Sequence, residues 1–156
     1  MKIKQFIFIL VLFIALDASS QKVTNNFIAK FLPLAKELKS EWGIPVSIIL
    51  GVSILESGSG TSLNAKQLNN YFGVTGKNNL KHRKTMYKQY ASADDSFKGF
   101  CGMISRKSFY KNLKNNMNYA AWLTAMNKAN YAGSKGVWVS RVKSVIQKHN
   151  LASYDK

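Results

Sequence analysis

The segment Val46–Leu55 is the part of this chain that most limits what it can fold into. Val46, Ile48, Ile49, Leu50, Val52, Ile54 and Leu55 make it apolar on nearly every side of a helix. A helix without a wet face has to be central and buried. Pro45 opens it at a position where proline is tolerated, and Ser57-Gly58-Ser59-Gly60 stops it. Of the 156 residues, 46% are hydrophobic and 12% aromatic, which excludes disorder and points to one compact domain around that helix.

Other helices are read from apolar spacing. Phe27, Ile28, Phe31, Leu34, Ala35, Leu38 and Trp42 share one face, with Thr24 as the expected cap, Gly43 as the stop, and Pro33 expected to kink or split the segment. Residues 61–73 read as a helical turn and a loop. Phe97, Phe100, Cys101 and Ile104 keep strict helical spacing behind Asp94 and Asp95, which act as a start signal. Two further helices are expected near Tyr119–Lys128 and Lys135–His149, with Trp122 and Trp138 assigned to the core. Alternation around Arg83–Tyr90 predicts a small hairpin. The fold class is therefore mainly α, with a minor β element after the second helix.

At the amino end, Lys2 and Lys4 precede the apolar run Phe6–Leu16 and the small residues Ala18, Ser19 and Ser20. That order fits a secretory signal peptide over residues 1–20, leaving residues 21–156 as the mature domain. Eleven apolar residues are too few for a bilayer-spanning helix, which takes about 20. A periplasmic or secreted monomer with no stable membrane anchor is expected. The lone Cys101 rules out an internal disulfide and, on an apolar stripe, reads as a buried inert thiol. With two histidines, a histidine-rich metal site is not expected, and no cofactor is called for. The formal charge of +16 asks for an anionic partner, and export selects the cell envelope over nucleic acid. The basic residues are scattered rather than gathered on one recognition helix.

Loss of Asp17 with the leader leaves six acidic side chains. Glu37 and Glu41 lie on the polar side and in the last turn of the first helix, Asp155 lies in the tail, and Asp94 and Asp95 sit where carboxylates ordinarily cap a helix. Glu56 differs. It ends the buried helix, where desolvation and the negative end of the helix dipole both favour its protonated form. A carboxyl group that keeps its proton near neutral pH is what departure of a sugar oxygen requires; the lysozyme glutamate cited in general accounts of tuned acids behaves this way. Gly58 and Gly60 leave room beside it for a bulky substrate.

The order Gly43-Ile-Pro-Val-Ser47, Leu55-Glu-Ser-Gly-Ser-Gly-Thr-Ser62, Asn69-Asn-Tyr-Phe-Gly73, Tyr87-Lys-Gln-Tyr90, Asp95-Ser-Phe97 and Asn130-Tyr-Ala132 is similar to the peptidoglycan N-acetylglucosaminidases of glycoside hydrolase family 73. The resemblance covers essentially all of residues 21–156. It implies a lysozyme-like helical lobe with a small β-hairpin lobe, and cleavage of peptidoglycan glycan strands. It also implies that Glu56 is the catalytic acid, that Tyr131 stands in the active-site cleft, and that Ser57, Asn70, Tyr71 and Phe72 border bound substrate. Ser59 stands where many members carry tryptophan, and Asn130 replaces the glycine before Tyr131. Residues 63–93 contain no Asp or Glu to serve as a second acid. Three routes stay open: Asp94 as a distant base, assistance by the substrate's N-acetyl group, or a transglycosylase-like route with a single acid. The rival readings are a catalytically silent glycan-binding module of the same fold and a cationic membrane-active protein.

Overall fold

A computed structural model describes residues 2–133 and 136–156 of the protein, with side chains from Ser19 onward. The chain is mostly helical: α1 (Lys2–Trp42), α2 (Val46–Ser57), α3 (Leu63–Leu68), α4 (Ala93–Ser105), α5 (Tyr110–Leu113), α6 (Tyr119–Lys128), α7 (Val137–Lys148) and a closing 3-10 helix, Leu151–Asp155. Every residue of α2 from Val46 to Ile54 is buried, as its composition demands. α1, α7, α6 and the 3-10 helix enclose it, and α4 packs on α1. α7 comes so close that a Cβ on Gly51 would stand 2.8 Å from Ile146 Cγ1.

The two ends of α2 are closed differently. At the carboxyl end Gly58 takes a left-handed conformation and donates its N–H to the Ile54 carbonyl. At the amino end Pro45 offers no side-chain cap. Asp155 supplies it from the far end of the sequence, accepting from Ser47 N–H (2.9 Å) and Ser47 Oγ (2.5 Å). The expectation of a tail carboxylate is thereby corrected: Asp155 is buried. No local spacing reveals this, because the cap is made 108 residues away.

α1 also departs from expectation. It runs through Thr24 and Pro33 without interruption. Pro33 is on the exposed side, and the carbonyl it leaves unbonded belongs to Ala29, an exposed residue, so the missing bond falls on the solvent side of the helix. Thr24 is buried; its hydroxyl donates to the Ser20 carbonyl and shares a 2.8 Å bond with Ser59 Oγ. The expected leader, residues 1–20, falls almost wholly outside the residues whose side chains are described.

The small hairpin lobe is not found. Among the described residues the only β pairing is an isolated antiparallel bridge, Thr75 with Tyr87, flanked by Gly76 N–H to Met86 O and Lys88 N–H to Val74 O. Asparagine side chains take the place of further ladder bonds. Asn78 Nδ2 donates to the carbonyls of Thr85 and Tyr87, and Asn70 Nδ2 to that of Lys88. α4 and α6 form where the spacing placed them. Ser92 and Asp95 cap α4 reciprocally, Ser92 Oγ accepting from Asp95 N–H and donating to Asp95 Oδ2. Lys135, expected to open the last helix, lies outside the described residues, and the helix begins at Val137. Cys101 is buried, and burial pushes its thiol up to about 12.

Candidate active site

Glu56 sits in the last turn of α2, half-buried, and three segments converge on it. From α7, Trp138 points its indole N–H at Glu56 Oε1 over 2.8 Å. From the turn after α6, Tyr131 lays its ring 5.1 Å from that of Trp138 and donates its hydroxyl to the Phe72 carbonyl at 3.2 Å. From the segment after α3, Gly73 approaches so closely that a Cβ there would stand 3.4 Å from Glu56 Oε2. One carboxyl oxygen is thus tied to α7, and the other faces the 72–74 segment. A cleft of about 340 Å³ opens here, between Phe72–Thr75, the residues 130–133, and Met103 with Lys107 at the end of α4.

Asn70 builds one wall. Its Oδ1 accepts from the N–H groups of Phe72 and Val74, and its Nδ2 donates to the carbonyls of Val74 and Lys88 at 2.8 and 2.7 Å. A buried amide with its hydrogen-bonding capacity filled has nothing left to offer a ligand. Asn70 therefore shapes the cleft and does not line it. Ser57 is likewise committed: its hydroxyl donates to Ser53 O and accepts from Gly60 N–H, bracing the turn after α2. Phe72 lends its backbone to the cleft while its ring stacks on Phe100 at 4.2 Å in the core. Tyr71 points away, into a cluster with Phe27, Phe31 and Phe97. Asp94 is exposed in the first turn of α4 and is not among the residues that line the cleft. Of the residues singled out in the sequence, Glu56, Phe72 and Tyr131 meet at one cleft; Ser57 and Asn70 hold its frame; Tyr71 and Asp94 lie elsewhere.

Trp138 is buried, as a core residue should be, yet its N–H bonds the carboxyl of Glu56. The available signal was that a buried indole N–H needs an acceptor, and the only acid in the neighbouring buried helix is Glu56. Met103 and Lys107 carried no signal of their own.

Burial pushes the Glu56 carboxyl above the ordinary range for glutamate, and the opposing hydrogen bond from Trp138 only partly offsets it. Tyr131 is pushed well above its ordinary value, first by burial and then by the negative charge of Glu56 and by Tyr90. The site thus sets a carboxyl whose protonated form is favoured by burial beside a phenol whose neutral form is favoured more strongly still. Among the described residues no three His, Cys, Asp or Glu side chains come together to hold a metal ion.

Residues 32–151, well over half the chain, match the glucosaminidase family, described as mannosyl-glycoprotein endo-beta-N-acetylglucosaminidase. The chain belongs to that family. As a family 73 glucosaminidase it is a glycoside hydrolase. Its fold is similar to that of the catalytic domain of the autolysin Auto from Listeria monocytogenes (TM-score 0.69, 22% identity, 85% of this chain and 88% of that one). It is also similar to the glycoside hydrolase domain of FlgJ from Salmonella typhimurium (TM-score 0.64, 22% identity, 83% and 90%). A third likeness is to a peptidoglycan hydrolase from Sphingomonas sp. A1 (TM-score 0.65, 18% identity, 83% and 91%). At these identities the likeness establishes the fold. Comparison with proteins of curated function gives no match.

Proposed function

We infer that this glucosaminidase cleaves the glycan strand of bacterial peptidoglycan, with Glu56 as the general acid that protonates the leaving sugar oxygen. The observation that carries the reading is a half-buried carboxyl at the foot of an open cleft, raised by burial and held by Trp138. Such a group is protonated before the bond breaks and gives its proton to the glycosidic oxygen as the oxocarbenium-like centre develops. Tyr131, neutral and tied to the Phe72 carbonyl, keeps oxygen lone pairs for the sugar and holds the wall against which Trp138 packs. The solved structures sharing the fold support the substrate class, since one is an autolysin and another a peptidoglycan hydrolase.

Glu56 is the only acid among the described residues that line the cleft. That favours a route with one acid, in which the substrate's N-acetyl oxygen attacks the anomeric carbon and water later opens the ring. In the transglycosylase variant the sugar's own 6-hydroxyl closes an anhydro ring instead. Export completes the reading: residues 1–20 are a leader and residues 21–156 the working enzyme. In support, α1 is tied to the rest of the fold from Gln21 and Thr24 onward, through His149 and Ser59. Without Lys2, Lys4 and Asp17 the formal charge of +16 becomes +15, which holds the enzyme near an anionic envelope.

The test is digestion of purified peptidoglycan by the parent and Glu56→Gln, with products read by mass spectrometry. Reducing ends from the parent and none from a folded Glu56→Gln are expected; anhydro ends would select the transglycosylase route. Equal release by both proteins removes Glu56 as the acid. No release by the parent leaves a glycan-binding module.

A further inference from the structure

Lys107 is the one basic side chain among the described residues that line the cleft. It is half-buried, and its backbone is fixed on both sides: its N–H bonds Ile104 O, and its carbonyl accepts from Tyr110 N–H, each at 3.0 Å. The side chain therefore projects from a rigid turn beside Met103, not from a loose loop. A lysine stem lying along a cleft wall presents its ammonium to whatever fills the cleft. Glu56 takes its hydrogen bond from Trp138 on α7, whereas Lys107 enters from the turn after α4, on a different element from the helix that carries the acid. Both residues line the same cleft, so a glycan that fills it meets the carboxyl and the lysine at once. A neutral N-acetylated sugar offers it only hydroxyls and amides, whereas a carboxylate offers a charge-assisted hydrogen bond.

We propose that Lys107 is a specificity-determining residue whose ammonium binds a carboxylate carried on the glycan, on a sugar beside the bond that Glu56 protonates. The inference rests on the glycan-cleaving role given above and narrows its substrate class to strands whose appended groups bear free carboxylates. The lysine is a binding group, and the covalent step does not involve it.

The experiment compares parent, Lys107→Gln and Lys107→Arg on peptidoglycan strands with free stem carboxylates and on the same strands after carbodiimide coupling to methylamine. Affinity by sedimentation is measured alongside release of sugar ends. In the parent, free strands are favoured over capped ones by about five- to tenfold in kcat/KM, mostly through KM, as a partly desolvated ion pair should give. Lys107→Gln brings that ratio to about one, and Lys107→Arg keeps most of it. A ratio unchanged by Lys107→Gln overturns the assignment, as does an equal loss on both strands. If no protein releases sugar ends, the hydrolytic reading fails by itself. The affinity ratio between free and capped strands then decides the role of Lys107.

Discussion

Replacing Trp138 with phenylalanine isolates the one hydrogen bond that ties the acid to the helical scaffold. The ring keeps its place against Tyr131 and the N–H is lost. A hydrogen bond to an ionised acceptor contributes about 1.5–3 kcal/mol, and one between neutral groups about 0.5–1.5. At 2.8 Å the Trp138 bond therefore favours ionised Glu56 over its protonated form by about 1 kcal/mol. Removing it takes away the influence that lowers the Glu56 pKa and leaves burial unopposed. The carboxyl then holds its proton to higher pH, and the alkaline limb of the kcat profile moves upward. The carboxyl also loses its orientation, so the plateau value falls, by about ten- to a hundredfold. Trp138 is 4% exposed, so the smaller ring leaves a gap costing about 1–2 kcal/mol, a few degrees of Tm. The assay is release of sugar ends from about pH 4 to 9, with a thermal melt to verify the fold. A limb that stays in place or moves down while the protein is folded refutes the argument that this bond acts on the ionisation of Glu56.

Glu56→Gln should raise Tm at neutral pH. The folded-state pKa of Glu56 lies above its ordinary 4.5, so the folded protein binds the proton more tightly than the unfolded chain, and parental stability falls as pH rises through that interval. The gain from glutamine should be clear by calorimetry near pH 7 and absent near pH 4; equal gains at both would mean that ionisation is not its source. Asp155→Ala removes the cap of α2 and leaves the Ser47 hydroxyl buried beside it. A loss of about 2–3 kcal/mol in denaturant unfolding is expected, and a loss under about 0.5 would show that the cap is dispensable.

The parts of this fold that could be read from the sequence are those where spacing along the chain and burial in space coincide. α2 is apolar all round, so it could only be central. The stripe Phe97, Phe100, Cys101 and Ile104 is fully buried, and α6 has the bounds its pattern gave. The illegible parts depend on partners remote in sequence. Asp155 looks like a tail until Ser47 stands opposite it. Thr24 looks like a cap until α1 continues past it and its hydroxyl meets Ser59. The stretch Arg83–Tyr90 alternates like a hairpin, but Asn70 and Asn78 take the carbonyls of Lys88, Thr85 and Tyr87 that a second strand would have used. In the site, Glu56 was legible because an acid at the end of an apolar helix is costly without a purpose. Asn70 and Ser57 lay on the right motifs, but their hydrogen bonds turn inward, which one-dimensional spacing cannot reveal.

The position of the acid explains why its pKa rises without a second charge beside it. A paired carboxylate would raise the pKa by repulsion, the arrangement used where two acids share one site. Here two neutral effects meet at Glu56. Burial by the close-packed α2 acts upward. The Trp138 N–H acts downward and is the weaker, since the net direction is upward. Burial at Glu56 is in turn set by how tightly α7 and the 72–74 segment close on it, through the near contacts at Gly51 and Gly73. Those contacts hold only while α2 stays in register, and the register is fixed at its other end by Asp155. The acidity of Glu56 is therefore a packing property of the whole helix, governed from both of its ends.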